Sequence, residues 1–251
     1  MYPIVHSLLG IFAAGMATTI GAAVAFLFPN KVPRRVENTM LGAAAGIMLG
    51  AAVFSLIVPA IAVGGIWRAS GGMIMGALAV HLADRFIPHE HFYFGKEGPD
   101  SHLKGIWLFV IAITLHNFPE GWATGVAYGL AYDVNHLDQG DVVAIAIGIQ
   151  NIPEGLAVAL ALMRAGYSNK AAFFWAAMTG CVEPPSGFIG FGLTQAMQSI
   201  MPWGLAFSGG AMLFVISDEI IPETHSQGKE RLATAGLIAG FVVMMILEKL
   251  L

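Results

Sequence analysis

The chain has 251 residues, 57% of them hydrophobic and only 11% charged, with a mean hydropathy of +0.72 and a formal net charge of −4. A soluble domain of this size cannot hide that much apolar surface, so the natural solvent is a bilayer, whose core about 20 apolar residues span as a helix. The long runs do not alternate, which excludes a transmembrane barrel; no basic patch suggests nucleic acid; and the lone Cys181 excludes an intramolecular disulfide and a Cys-based zinc finger.

Eight apolar spans are predicted, at roughly 4–28, 39–63, 71–87, 105–130, 139–163, 169–195, 203–222 and 230–250. The fold expected is an all-α integral membrane protein, a single transmembrane domain over 1–251 with a loop at 88–104. The first run lacks a basic leader and is too long for the core of a signal peptide, so it reads as a retained span. Turn and breaker residues mark the linkers: Pro29-Asn30, Gly64-Gly65, Gly71-Gly72, Ser168-Asn169 and Pro202. Orientation follows from Lys and Arg. With the N-terminus outside, ten of them fall on the inside, among them Lys31, Arg34, Arg35, Arg164 and Lys170, against Arg68 and Lys249 outside. Both termini are therefore expected on the outer side of the cytoplasmic membrane, with the loop 88–104 in the cytoplasm. The outside segment 131–141 carries Asp133, His136, Asp138 and Asp141 and no basic residue. It reads equally as a solvated loop and as an attractor of cations.

Two polar islands interrupt the fourth and fifth runs: His116-Asn117-Phe118-Pro119-Glu120-Gly121 and its echo, Gln150-Asn151-Ile152-Pro153-Glu154-Gly155. Ionisable residues at membrane depth are costly and mark function by default. Positions i and i+4 share a helix face, so His116 points with Glu120 and Gln150 with Glu154. Each motif starts eleven residues into its span, about 16 Å from opposite membrane faces at the helical rise. Two antiparallel helices thus bring matching ligand sets to one level near the midplane. Met48 and Glu183 are within reach of the same layer. Pro119 and Pro153 each remove a helix donor and clash with the carbonyl four residues back, so a proline-kinked helix pair is expected at the centre. Kinked or broken helices at mid-membrane are a feature of transporter sites. The series Gly42, Gly46, Gly50 and Gly121, Gly125, Gly129 offer smooth faces, for close packing or for sliding.

His, Glu, Gln, Asn and Met form a mixed ligand set. Imidazole and carboxylate suit zinc and iron, carboxylate and carbonyl oxygens suit manganese, and a thioether tolerates softer ions. Three carboxylates near the midplane need a cation or protons to be tolerated. A buried His or Glu alone is as readily a helix–helix hydrogen bond, and Met48 by spacing alone is a packing residue. Polar residues also gather at the inside face: His81 and Asp84 end the third span, His89, Glu90 and His91 follow it, and Asp218, Glu219, Glu223 and His225 end the seventh. They read equally as solvated loop and as a metal-receiving cluster. The reading from residues is a divalent metal importer. A selective channel and an intramembrane zinc hydrolase are its alternatives. The last needs an open water position and a general base, and neither HExxH nor GxSxG occurs.

At these motifs the chain resembles the ZIP family of divalent metal transporters, in particular its bacterial GufA-like branch. The run Met40 to Pro59, the paired motifs, Glu183-Pro184, Pro88-His-Glu-His91 and Ile221-Pro-Glu-Thr-His225 carry the likeness. The resemblance implies eight helices with both termini outside and a binuclear centre. One site would use Met48, His116, Glu120, Gln150, Glu154 and Glu183; the adjoining site would use Asn117, Asn151 and the bridging glutamates. It also implies an exit-side cluster of Asp84, His89, His91, Asp218, Glu219 and His225, with Ser55 on the entry path. Asn151 stands where some relatives have Asp, and Asp218 where some have His. The cargo implied is zinc, iron, manganese or cadmium, moved into the cytosol with no cofactor. The mechanism implied is an elevator-like motion against a homodimeric scaffold.

Overall fold

The computed structural model describes residues 2–27, 33–91, 95–97, 99, 102, 105–129, 139–225 and 230–250. Helices α1 (Tyr2–Val24), α2 (Arg34–Gly50), α3 (Val58–Gly64), α4 (Ile66–Phe86), α5 (Gly105–Tyr128) and α6 (Gln139–Arg164) build the first part. The second part holds α7 (Asn169–Gly180), α8 (Glu183–Ala196), α9 (Met201–Val215), α10 (Ile221–His225) and α11 (Glu230–Leu250). Among the described residues, five helical stretches are long and apolar enough to cross a membrane: Ile4–Leu27, Arg35–Gly64, Gln139–Arg164, Gln198–Ile220 and Arg231–Leu250. Helix α5 has the length, 24 residues, but carries the polar motif in its middle. Its neighbours bury that section, so α5 does not need to be apolar all round.

Local chemistry explains the boundaries. Gly65, at φ 77°, stops α3 and starts α4, a backbone state that a β-carbon disfavours. Gly166, at φ 91°, closes α6. The Gly166 N–H bonds to the Met163 carbonyl and the Tyr167 N–H to the Leu162 carbonyl, both at 3.1 Å, which is a Schellman end. Ser168 then caps α7 by accepting from the Ala171 N–H at 3.3 Å. Pro119 and Pro153 lie inside α5 and α6, which continue through them.

Four features differ from the sequence reading. The pair Gly71-Gly72, taken as a linker, lies inside α4; its missing side chains admit Trp203, Ala206 and the Trp203 carbonyl of α9. The predicted 169–195 span breaks at Cys181-Val182, so Glu183 and Pro184 open a new helix, where proline's lost N–H is harmless. Two π-helical segments, Ala51–Ile57 and Ile216–Ile220, continue α2 into α3 and α9 into α10; such wide turns often sit at functional sites. The fold is all-α as expected, with one short antiparallel ladder among the described residues, β1 (His89–His91) on β2 (Gly95–Glu97).

The most extensive helix pairings are α2 with α11, α4 with α9, α1 with α6 and α5 with α8. Both glycine series serve packing. A β-carbon at position 46 would stand 2.0 Å from the Leu237 carbonyl oxygen of α11, and one at position 125 would stand 1.9 Å from that of Gly187 in α8. Gly125→Ala is therefore expected to cost about 1–3 kcal/mol through overpacking. Gly192→Ala, where nothing lies within 4 Å, is the control. Thermal unfolding in detergent measures both, and equal melting points for the two variants would refute the close-packing account.

Candidate metal centre

Helices α5 and α6 run antiparallel and meet through their motifs. Gln150 Nε2 donates to Glu120 Oε1 at 2.7 Å, and nearer the helix ends Tyr128 donates to Asp141 Oδ1 at 2.8 Å. The two motifs therefore share one level, and the pairing of Gln150 is across helices. Asn151 Nδ2 donates to Glu183 Oε2 at 2.8 Å, which brings the start of α8 to the same layer. There the carboxylate also sits at a helix N-terminus, where negative charge is favoured.

A cavity of about 60 Å3 is lined by Glu37 on α2, Thr224 on α10, Met48, His116, Glu120 and Glu154. One water centre needs roughly 10–15 Å3, so a few waters or one hydrated ion fit. Met48 is buried in the wall beside the polar residues. His116 Nε2 lies 2.6 Å from Glu219 Oε2, both side chains being buried.

The predicted ligand set is thus split in two. Met48, His116, Glu120 and Glu154 border the cavity; Gln150, Asn151 and Glu183 hold position behind it through hydrogen bonds. Among the described residues no three His, Cys, Asp or Glu side chains form a ready metal cage. Their atoms are held apart by protein partners: Glu120 by Gln150, Glu183 by Asn151 and Thr18, His116 by Glu219. Several buried oxygens nonetheless have no hydrogen-bond donor: Glu120 Oε2, Glu154 Oε1, Gln150 Oε1, Asn151 Oδ1 and Asn117 Oδ1. Asn117 Nδ2 is also unbonded. Buried polar atoms are ordinarily satisfied. A surplus made almost wholly of acceptors is the complement of a cation.

The cluster expected at the inside face is redistributed. Glu219 belongs with His116. Asp218, next to it on the π-helical turn, is exposed. Asp84 is buried near the end of α4. His225 joins α10 to α11, with Nδ1 2.8 Å from the Ile221 carbonyl oxygen and Nε2 2.9 Å from the Thr234 hydroxyl. The side chains of His89 and His91, and Asp133, His136 and Asp138, lie outside the described residues. At the far end of the bundle, Ser55 donates to Glu248 Oε2 at 2.5 Å, and Gln139 Nε2 donates to the Ser55 carbonyl at 3.0 Å.

The ZIP zinc transporter family model matches residues 95–248. The chain is 40% identical to "Zinc transporter GufA" of Myxococcus xanthus over 94% of each chain. It is 40% identical to "Zinc transporter ZIPB" of Bordetella bronchiseptica, over 97% of this chain and 80% of that one. It is 32% identical to human "Zinc transporter ZIP11", over 97% and 96%.

The chain belongs to the ZIP family.

It is a multi-pass membrane protein of a transporter family, and the hydrolase reading falls away. The ZIP match includes the paired motifs, Glu183, Glu219 and Glu248. Residues that sequence reasoning passed over lie before it. Glu37 borders the cavity and is paired with Arg164 at the end of α6. Ala14 and Thr18 of α1 hold Asn151 and Glu183. A lone acid just inside a helix start and a threonine in an apolar run carry no periodic or motif signal.

Proposed function

We propose that this ZIP protein carries divalent transition metal, zinc first, across the cytoplasmic membrane into the cytoplasm. The observation that carries the proposal is the set of donorless buried oxygens from α5 and α6 around a His- and Glu-lined cavity. The names of the relatives, all zinc transporters, support zinc as cargo. Met48, His116, Glu120, Gln150, Glu154 and Glu183 bind the transported ion; Asn117 and Asn151 with the glutamates form an adjoining second position. Asp84, His89, His91, Asp218, Glu219 and His225 receive the ion on the inner side. Iron, manganese and cadmium are further cargoes.

The whole chain acts as one transmembrane domain of eight spans, both termini outside, as the basic residues favour. The cavity then faces the cytoplasmic end, which is the geometry of release. Pro119 and Pro153 leave the carbonyls of Leu115 and Ile149 without helix donors beside the ligands. An elevator-like motion of the ligand-bearing helices against a dimeric scaffold is supported by the preferred pairings, α1 with α6 and α5 with α8 against α2 with α11 and α4 with α9.

Zinc uptake into vesicles reconstituted with the purified protein tests the function. Saturable uptake with steep slowing on cooling is the carrier result, flux rising without saturation is the channel result, and no uptake beyond empty vesicles refutes both. Met48→Ala is expected to lower the ability of cadmium to compete with zinc by several fold while manganese competition stays level, because the thioether favours softer ions. Unchanged competition by both metals would return Met48 to a packing role.

A further inference from the structure

Threonine and serine hydroxyls in these helices mostly bond back to the carbonyl four residues earlier: Thr114 to Val110 at 2.7 Å, Thr124 to Glu120 at 3.1 Å, Thr194 to Gly190 at 2.9 Å and Ser208 to Gly204 at 3.0 Å. That is the default inside an apolar helix, where no water competes. Thr18 departs from it. The carbonyl four residues before it, Ala14, accepts instead from Asn151 Nδ2 at 3.1 Å. The Thr18 hydroxyl turns across the helix boundary and donates to Glu183 Oε1 at 3.2 Å. Asn151 also donates to the other carboxylate oxygen, Oε2, at 2.8 Å. The Glu183 carboxylate is therefore gripped at both oxygens, and one residue, Asn151, arranges both grips.

The turn of α1 that carries Thr18 is closely packed. Thr18 is fully buried. A β-carbon at position 180 on α7 would stand 2.7 Å from Thr18 Cβ, and one at position 155 on α6 would stand 2.0 Å from the Thr18 carbonyl oxygen. Two glycines thus let α6 and α7 close on this turn of α1. Gly15 does the same for the start of α8, where a β-carbon would meet Pro184 Cδ at 2.9 Å and Glu183 Cβ at 3.0 Å. Three helices fix the hydroxyl against the carboxylate.

We infer that Thr18 is a positioning residue for Glu183, directed there by Asn151, and that it sets the affinity of the central site for its divalent cargo. The inference rests on the transport reading above. Groups that orient a ligand from behind typically change metal affinity by about 10–100-fold when removed. The test uses Thr18→Val, which keeps the volume and the branched packing but loses the hydroxyl, and Thr18→Ser, which keeps the hydroxyl and loses the methyl. Thr18→Val is expected to raise the KM for zinc uptake, and the Kd for zinc measured by titration in detergent, by about 10–100-fold, with Vmax much less affected. Thr18→Ser is expected to restore both constants to within a few fold. A packing role gives the opposite order, with serine the worse variant. Thr18→Ala carries the same test if the valine variant aggregates.

A double-mutant comparison isolates the role of Asn151. Asn151→Asp has no amide hydrogen for the Ala14 carbonyl, so Thr18 returns to its own helix and adding Thr18→Val has little further effect. Fully additive effects would refute the direction by Asn151. Wild-type zinc constants in Thr18→Val, alongside normal wild-type uptake, would overturn the inference and leave the transport reading standing. Wild-type protein that neither binds nor moves zinc would overturn the transport reading itself.

Discussion

Glu120→Gln is expected to reduce zinc uptake by about 100-fold or more, since it removes a charge at the centre rather than an orienting group behind it, whose loss alone costs about 10–100-fold. The amide keeps the shape, and its Oε1 still accepts from Gln150 Nε2, the contact that Glu120 makes at 2.7 Å. Glu120 is 1% exposed, and its second oxygen has no donor. A buried carboxylate in that state opposes stability unless a cation or proton joins it. The variant is therefore expected to melt at the wild-type temperature or above it while losing transport. Stability and function move apart, which separates a cargo ligand from a structural hydrogen bond. Wild-type uptake by a folded Glu120→Gln protein would end the metal-site reading of this residue.

His116→Ala is expected to act on both properties. It removes the only imidazole bordering the cavity, among the described residues, and with it the partner that lies 2.6 Å from Glu219. Removing one partner of a buried ion pair costs about 3–5 kcal/mol, so a loss of that order in unfolding free energy is expected with a large loss of zinc affinity. Adding Glu219→Gln is expected to return much of the stability, because the buried charge goes with its partner, and none of the uptake. Thermal unfolding and zinc titration on the same detergent samples read the two effects. If the double variant recovers uptake, His116 serves only to satisfy Glu219.

The paired motifs were legible because two properties are local. Helical periodicity puts His116 with Glu120, and distance along each span puts both motifs at one depth. The glycine series were legible as smooth faces for the same reason, yet their partners, α11 for Gly46 and α8 for Gly125, are contacts between distant segments. Glu219 illustrates the limit. Its neighbours in the chain are an exposed Asp218 and the polar end of α10, so it reads as part of an inside cluster. A π-helical turn rotates it inward to His116, and no pattern announces that turn. Gly71-Gly72 were misread as a linker because glycine punctuates loops and also admits a neighbouring helix, and only the presence of α9 distinguishes the two.

The sequence by itself determined the solvent, the helical class, the polar layer and its chemical character, since hydropathy, periodicity and residue type are properties of short stretches. The tertiary structure decided which atoms meet. It sorted the predicted ligands into those that border the cavity and those bonded to one another beside it, put Glu37 at the cavity and Thr18 against Glu183, and broke the helix before Glu183. The reason is physical: a side-chain hydrogen bond depends on tenths of an ångström between segments more than a hundred residues apart, as Thr18 and Glu183 are, and packing of small residues against backbone sets those distances.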